Sequence, residues 1–156
     1  MKNLKLNMVI FSLFFINLDT LLSAMEQPVA TYEINPIPQI INDSAFFWKD
    51  LVGCHHDELF LSINKKFTRK LRLAIDSFVS IIEYPELKHY RLYAANSAKK
   101  ALERLGYLSR IRVIDCADYE EANVLLRQFE KYLFTKLNEP ELVGLAKLVS
   151  QINFAC

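Results

Sequence analysis

Apolar positions recur along most of this chain with the period of an α-helix. Phe60, Ile63, Phe67, Leu71, Ala74, Phe78 and Ile81 step by 3, 4, 4, 3, 4 and 3 residues. That spacing lines one face of a helix with 3.6 residues per turn. Asp57 and Glu58 stand where such a helix would begin and complement the positive end of its dipole. Pro85 forces Tyr84 towards extended geometry and ends it. The spacing therefore predicts a long helix over 57–83.

Three further stripes follow. Leu87, Tyr90, Ala94, Ala98, Ala101 and Leu105 predict a helix that opens on Pro85 and is capped by Gly106. Ala122, Leu126, Phe129, Leu133 and Leu137 predict another, with Asp118 and Glu121 at capping-box spacing. Leu142, Leu145, Val149 and Ile152 predict a last one after Pro140. Ahead of all these, Asn42-Asp43-Ser44 offers N-cap side chains to a short helix, Ala45–Leu51, ended at Gly53. The same triplet is an N-glycosylation sequon, a pattern that arises often by chance.

The helical period fails in two places. Residues 25–41 carry Pro28, Pro36 and Pro38 and read as an extended arm, with Thr31–Ile34 a candidate strand. Ser109–Asp115 alternates, with β-branched residues at alternate sites, and predicts one short strand. Thr31–Ile34 is the partner the sequence offers it.

The N-terminus has a different character. Lys2 and Lys5 precede the apolar run Met8–Ile16, and Leu22-Ser23-Ala24 follows a polar stretch. Positive, apolar and small residues in that order predict a secretory signal peptide over 1–24 with cleavage after Ala24. The run is well short of the roughly 20 residues that span a bilayer. The expected organisation is a signal peptide (1–24), an extended arm (25–41) and a helical domain (42–156). The expected location is exported, periplasmic or secreted, with no transmembrane segment after signal removal.

Charge adds one asymmetry. The segment 25–156 has 17 basic and 17 acidic side chains, and such neutrality argues against a specific nucleic-acid binder. Yet 65–112 holds 12 Lys or Arg against 4 Asp or Glu, whereas 113–156 holds 4 against 7. Lys65, Lys66, Arg69, Lys70, Lys99 and Lys100 lie mostly off the apolar stripes and form a candidate surface for an anionic partner, protein or membrane. The competing reading is two solvated helix faces partly neutralised by the acidic helix after Asp118.

Catalytic signatures are sparse. Cys54-His55-His56-Asp57-Glu58 groups metal-ligand residue types, and Cys54, His55, His56 and Glu58 with His89 form a candidate metal or Cys/His site. The spacing matches neither Cys-x-x-Cys nor His-Glu-x-x-His, and a polar helix start explains the same residues. Three isolated glycines exclude a phosphate-binding loop of the Gly-rich kind, and no Gly-x-Ser-x-Gly elbow is present. Cys54, Cys116 and Cys156 allow one disulfide with one thiol left over, in any of three pairings.

The sequence thus predicts a mainly α, single compact domain of about five helices, with room for one small two-stranded β element. The function it favours is a non-enzymatic interaction protein, with no cofactor, that binds a macromolecule through a basic helical surface. The alternative is a small metal-binding protein or Cys/His enzyme centred on Cys54–Glu58.

Overall fold

Burial of one stripe per helix organises the chain. The structure, a computed structural model, describes residues 37–53, 61–111 and 113–155. Within these, five α-helices are present: α1 (Gln39–Leu51), α2 (Lys65–Glu83), α3 (Arg91–Ile111), α4 (Tyr119–Phe134) and α5 (Pro140–Ser150). A 3-10 helix, Pro85–Tyr90, links α2 to α3. Two short strands, β1 (Leu61–Ser62) and β2 (Val113–Asp115), pair in parallel. The expected signal peptide, Thr31–Ile34 and Cys54–Glu58 lie outside the described residues.

Helix α1 packs on both α2 and α3, α4 packs on α2, and α5 packs on α3 and α4. At the centre, Trp48 of α1, Phe78 of α2 and Phe129 of α4 form a ring cluster. Centroid separations are 6.4 Å for Trp48–Phe78, 6.0 Å for Trp48–Phe129 and 5.6 Å for Phe78–Phe129. Two of these contacts are edge-on, the arrangement that ring quadrupoles favour. Phe67, Leu71, Phe78, Ala98, Leu126 and Phe129, all on the predicted stripes, are buried.

Several predicted boundaries are corrected. Helix α1 begins at Gln39 rather than Ala45, with Pro38 in the N-cap position. The Pro38 carbonyl accepts the N–H of Ile41 at 2.9 Å. Asn42, Asp43 and Ser44 therefore lie inside the helix, and residues 39–41 belong to it rather than to the arm. Ile41, Ser44, Trp48 and Leu51 form the buried stripe, and its burial outweighs the capping preference of the polar triplet. Gly53 closes the end with φ 59°, in the left-handed region open to glycine.

Helix α2 begins at Lys65, not Asp57. Asn64 Oδ1 accepts the Phe67 N–H at 3.1 Å and caps it. Ile63 keeps its place in the core by a different route. Its N–H donates to the Asp115 carbonyl at 2.7 Å, and its carbonyl accepts the Asp118 N–H at 3.1 Å. Leu61 and Ser62, read as helix from the stripe, are the partner of β2. A strand and a helix each accommodate an apolar residue at these positions, so periodicity alone could not separate them.

Gly106 is not a cap. Helix α3 runs on to Ile111 because Leu108 extends its buried face, and Gly106 sits mid-helix against Ile152. Asp118 precedes α4 without a side-chain capping bond, and Glu121 reaches instead to Arg72. Leu137 lies beyond the end of α4 and is exposed.

Candidate functional site

The basic cluster is built on the first turns of α2. Asn64 fixes the helix start, so Lys65, Lys66 and Arg69 follow at once on the side opposite Phe67, Thr68 and Leu71. All three are exposed. None has an ion-pair partner among the described residues. The first turn carries no acidic residue. Cations at a helix N-terminus oppose the positive end of the dipole, at a cost of about 0.3–1 kcal/mol each. Among the described residues, no ion pair offsets that cost.

The other candidates divide. Lys70 Nζ donates to Asp50 Oδ1 at 2.9 Å and to the Asp50 carbonyl at 3.4 Å. It thus ties α2 to the C-terminal end of α1, where a cation is favoured. Lys99 faces Glu103 one turn along α3, at 4.0 Å. Lys100 is exposed on α3. Helix α1 packs against both α2, which carries Lys65, Lys66 and Arg69, and α3, which carries Lys99 and Lys100. The first three share one exposed helical surface, and the last two belong to a different helix.

The expected neutralisation by α4 is local. Glu121 Oε1 accepts from Arg72 at 3.1 Å, whereas Glu130 pairs with Arg127 on its own helix. Neither reaches Lys65, Lys66 or Arg69. Asp76, further along the exposed side of α2, has its carboxyl pKa raised by partial burial, against the opposing pull of Arg72.

Two large apolar side chains of the α1–α2 pair are also exposed, and the sequence pattern did not single them out. Phe46 of α1 is 60% exposed and Leu73 of α2 is 44% exposed. Phe46 lies off the Ile41–Ser44–Trp48–Leu51 series, and Leu73 lies off the Phe67–Leu71–Ala74–Phe78 series. That offset was the available signal. The Phe46 ring also meets Phe47 edge-on at 6.2 Å.

The alternative metal or Cys/His set is placed only in part. His89 is exposed on the 3-10 helix that follows the C-terminus of α2. Gly53 and Leu61, which flank the segment carrying Cys54, His55, His56 and Glu58, belong to the other end of α2: Gly53 follows α1 just past the Asp50–Lys70 bridge, and Leu61 precedes Asn64. Among the described residues, no group of three His, Cys, Asp or Glu side chains could hold a metal ion. Cys116 is disulfide-bonded. The other two cysteines, Cys54 and Cys156, lie outside the described residues.

Among the described residues, no helix is long and apolar enough to cross a membrane. Comparison with protein-family models, curated proteins and solved structures gave no match.

Proposed function

We propose that this chain is an exported, non-enzymatic interaction protein that binds an anionic macromolecular partner through the basic surface of α2. One observation carries the reading. Lys65, Lys66 and Arg69 are exposed, have no ion-pair partner among the described residues and occupy the helix end where the dipole disfavours them. A feature that costs local stability without a packing return is a candidate for function. The order of Lys5, the Met8–Ile16 run and Ala24 supports export.

The test compares the full chain with a Lys65→Glu, Lys66→Glu, Arg69→Glu variant on heparin, on polyglutamate and on anionic vesicles. Wild type should be retained on at least one probe at about 0.1 M salt and released at about 1 M, where the Debye length falls to about 3 Å. The variant should fold normally and not be retained. Equal retention of both proteins, or no retention of wild type on any probe, retires the reading. Export is tested by the mass of the secreted product, expected to begin at Met25. Recovery of the intact chain would retire cleavage.

A further inference from the structure

Leu73 shares the outer row of α2 with Lys66 and Arg69, and the pairing of α1 with α2 brings Phe46 to the level of Leu73. Two contacts set the antiparallel register of these helices: Ser77 Oγ donates to Ser44 Oγ at 3.2 Å, and Lys70 bonds Asp50 at 2.9 Å. Phe46 falls between these contacts along α1, and Leu73 falls between them along α2. Lys66, Arg69 and Leu73 step by three and four residues, so they form one exposed row on α2. The acids nearby are partly engaged. Asp50 is held by Lys70, Asp43 accepts from Gln39 Nε2 at 2.6 Å, and Asp76 stands almost one turn beyond Leu73.

From this arrangement we infer that the α1–α2 face docks on an anionic membrane surface, with Phe46 and Leu73 entering the headgroup–acyl boundary and Lys66 and Arg69 meeting lipid phosphates. The inference rests on the basic-surface reading and names its partner. An exposed phenylalanine and leucine gain by leaving water, and a bare polyanion offers no apolar phase to receive them. Lys66 and Arg69, in the row of Leu73, need anions. A bilayer interface supplies both within the ~5–10 Å depth that interfacial helices reach, and its anionic leaflet attracts basic segments within a Debye length.

The experiment is co-sedimentation of the full chain with vesicles of phosphatidylcholine alone and of phosphatidylcholine with phosphatidylglycerol. The proteins are wild type, a Phe46→Ser, Leu73→Ser variant and the α2 charge-reversal variant. The N-terminal apolar run is the same in all three, so any difference belongs to the α1–α2 face. Wild type should bind the phosphatidylglycerol vesicles about tenfold more tightly than either variant, and the apolar variant should keep its retention on heparin or polyglutamate. Equal vesicle binding by wild type and the apolar variant overturns the membrane inference. If charge reversal still abolishes retention on heparin or polyglutamate, the basic-surface reading survives that result. Parallel loss of vesicle and polyanion binding by the apolar variant also overturns the inference, because Phe46 and Leu73 would then not be specific to the bilayer.

Discussion

Asn123 and Phe154 form a two-way pair: the Asn123 amide donates to the Phe154 carbonyl at 2.8 Å, and its oxygen accepts the Phe154 N–H at 2.8 Å. One side chain thereby satisfies both backbone groups of a residue that lies outside any helix or strand. Just along α4, Arg127 Nη2 donates to the carbonyls of Val149, at 2.8 Å, and Ile152. Between them these two residues fasten the chain after α5, and the Phe154 ring fills the core against Phe67 at 5.6 Å.

Replacing Asn123 by Ala should therefore destabilise the domain by about 1–3 kcal/mol, because the Phe154 backbone groups lose their partners in a partly buried setting. Phe154→Ala should cost about 3–5 kcal/mol as a buried aromatic deletion. Urea unfolding of each variant reads both values. An Asn123→Ala loss under about 0.5 kcal/mol would show that solvent replaces the clamp freely.

Phe78 touches both Trp48 and Phe129 and is fully buried. Phe78→Ala should cost about 3–5 kcal/mol and loosen Trp48. The near-ultraviolet signal of Trp48, the single tryptophan, reports the second effect. Unchanged Trp48 asymmetry would contradict the ring cluster.

The glycines should respond with opposite signs. A Cβ at Gly144 meets nothing within 4 Å, and one at Gly106 comes no nearer than 3.7 Å to Ile152. Both sit inside helices. Gly144→Ala and Gly106→Ala should each stabilise by about 0.5–1 kcal/mol. Gly53→Ala should destabilise by about 1 kcal/mol, since alanine resists its φ of 59°. Thermal midpoints of the three variants are the check.

Acid should weaken one junction selectively. Glu83 accepts from Lys136 Nζ at 2.7 Å and from the Tyr132 hydroxyl at 2.6 Å. The Lys136 bond first, and the Tyr132 bond second, hold its carboxyl below the ordinary value of 4.5. Its stabilising contribution is fully present above the unfolded pKa and is lost as pH falls through the lower folded one. Glu83→Gln should therefore reduce stability at neutral pH and flatten the acid limb of the stability profile below pH 4.5. Tyr132 behaves in the reverse sense, because burial and the bond to Glu83 raise its pKa and keep it neutral well into alkali. Parallel acid limbs for wild type and Glu83→Gln would contradict this assignment.

Helix existence was legible wherever a stripe ran for three turns or more. The faces through Phe67–Ile81, Ala94–Leu105, Ala122–Leu133 and Leu142–Ile152 are those the fold buries. The starts were not legible, for physical reasons that differ by site. Pro38 precedes α1 without any side-chain cap, so nothing polar marks that start. Asn64 does cap α2, but the apolar Phe60 and Ile63 upstream extended the stripe past it. The β partner was missed because a strand of two residues has no period of its own. At the candidate surface, sequence identified Lys65, Lys66 and Arg69, whereas the diversion of Lys70 to Asp50 depends on how α1 crosses α2. Phe46 stood within an apolar run, where its offset from Ile41, Trp48 and Leu51 was the one mark of an outward position.

The parallel pairing of Leu61 with Val113 has a kinetic corollary. Every residue of α2, the 3-10 turn and α3 lies between these strands, so the ladder closes only after about fifty residues are gathered, and loop entropy opposes early closure. The α2–α3 hairpin, joined by one short turn, meets no such penalty. Refolding should therefore begin with docking of α2 on α3 about the turn and finish with the strands. Kinetic φ-values should be higher at Leu87, buried on the turn between the two helices, than at Leu61, and the opposite ranking would reverse the order.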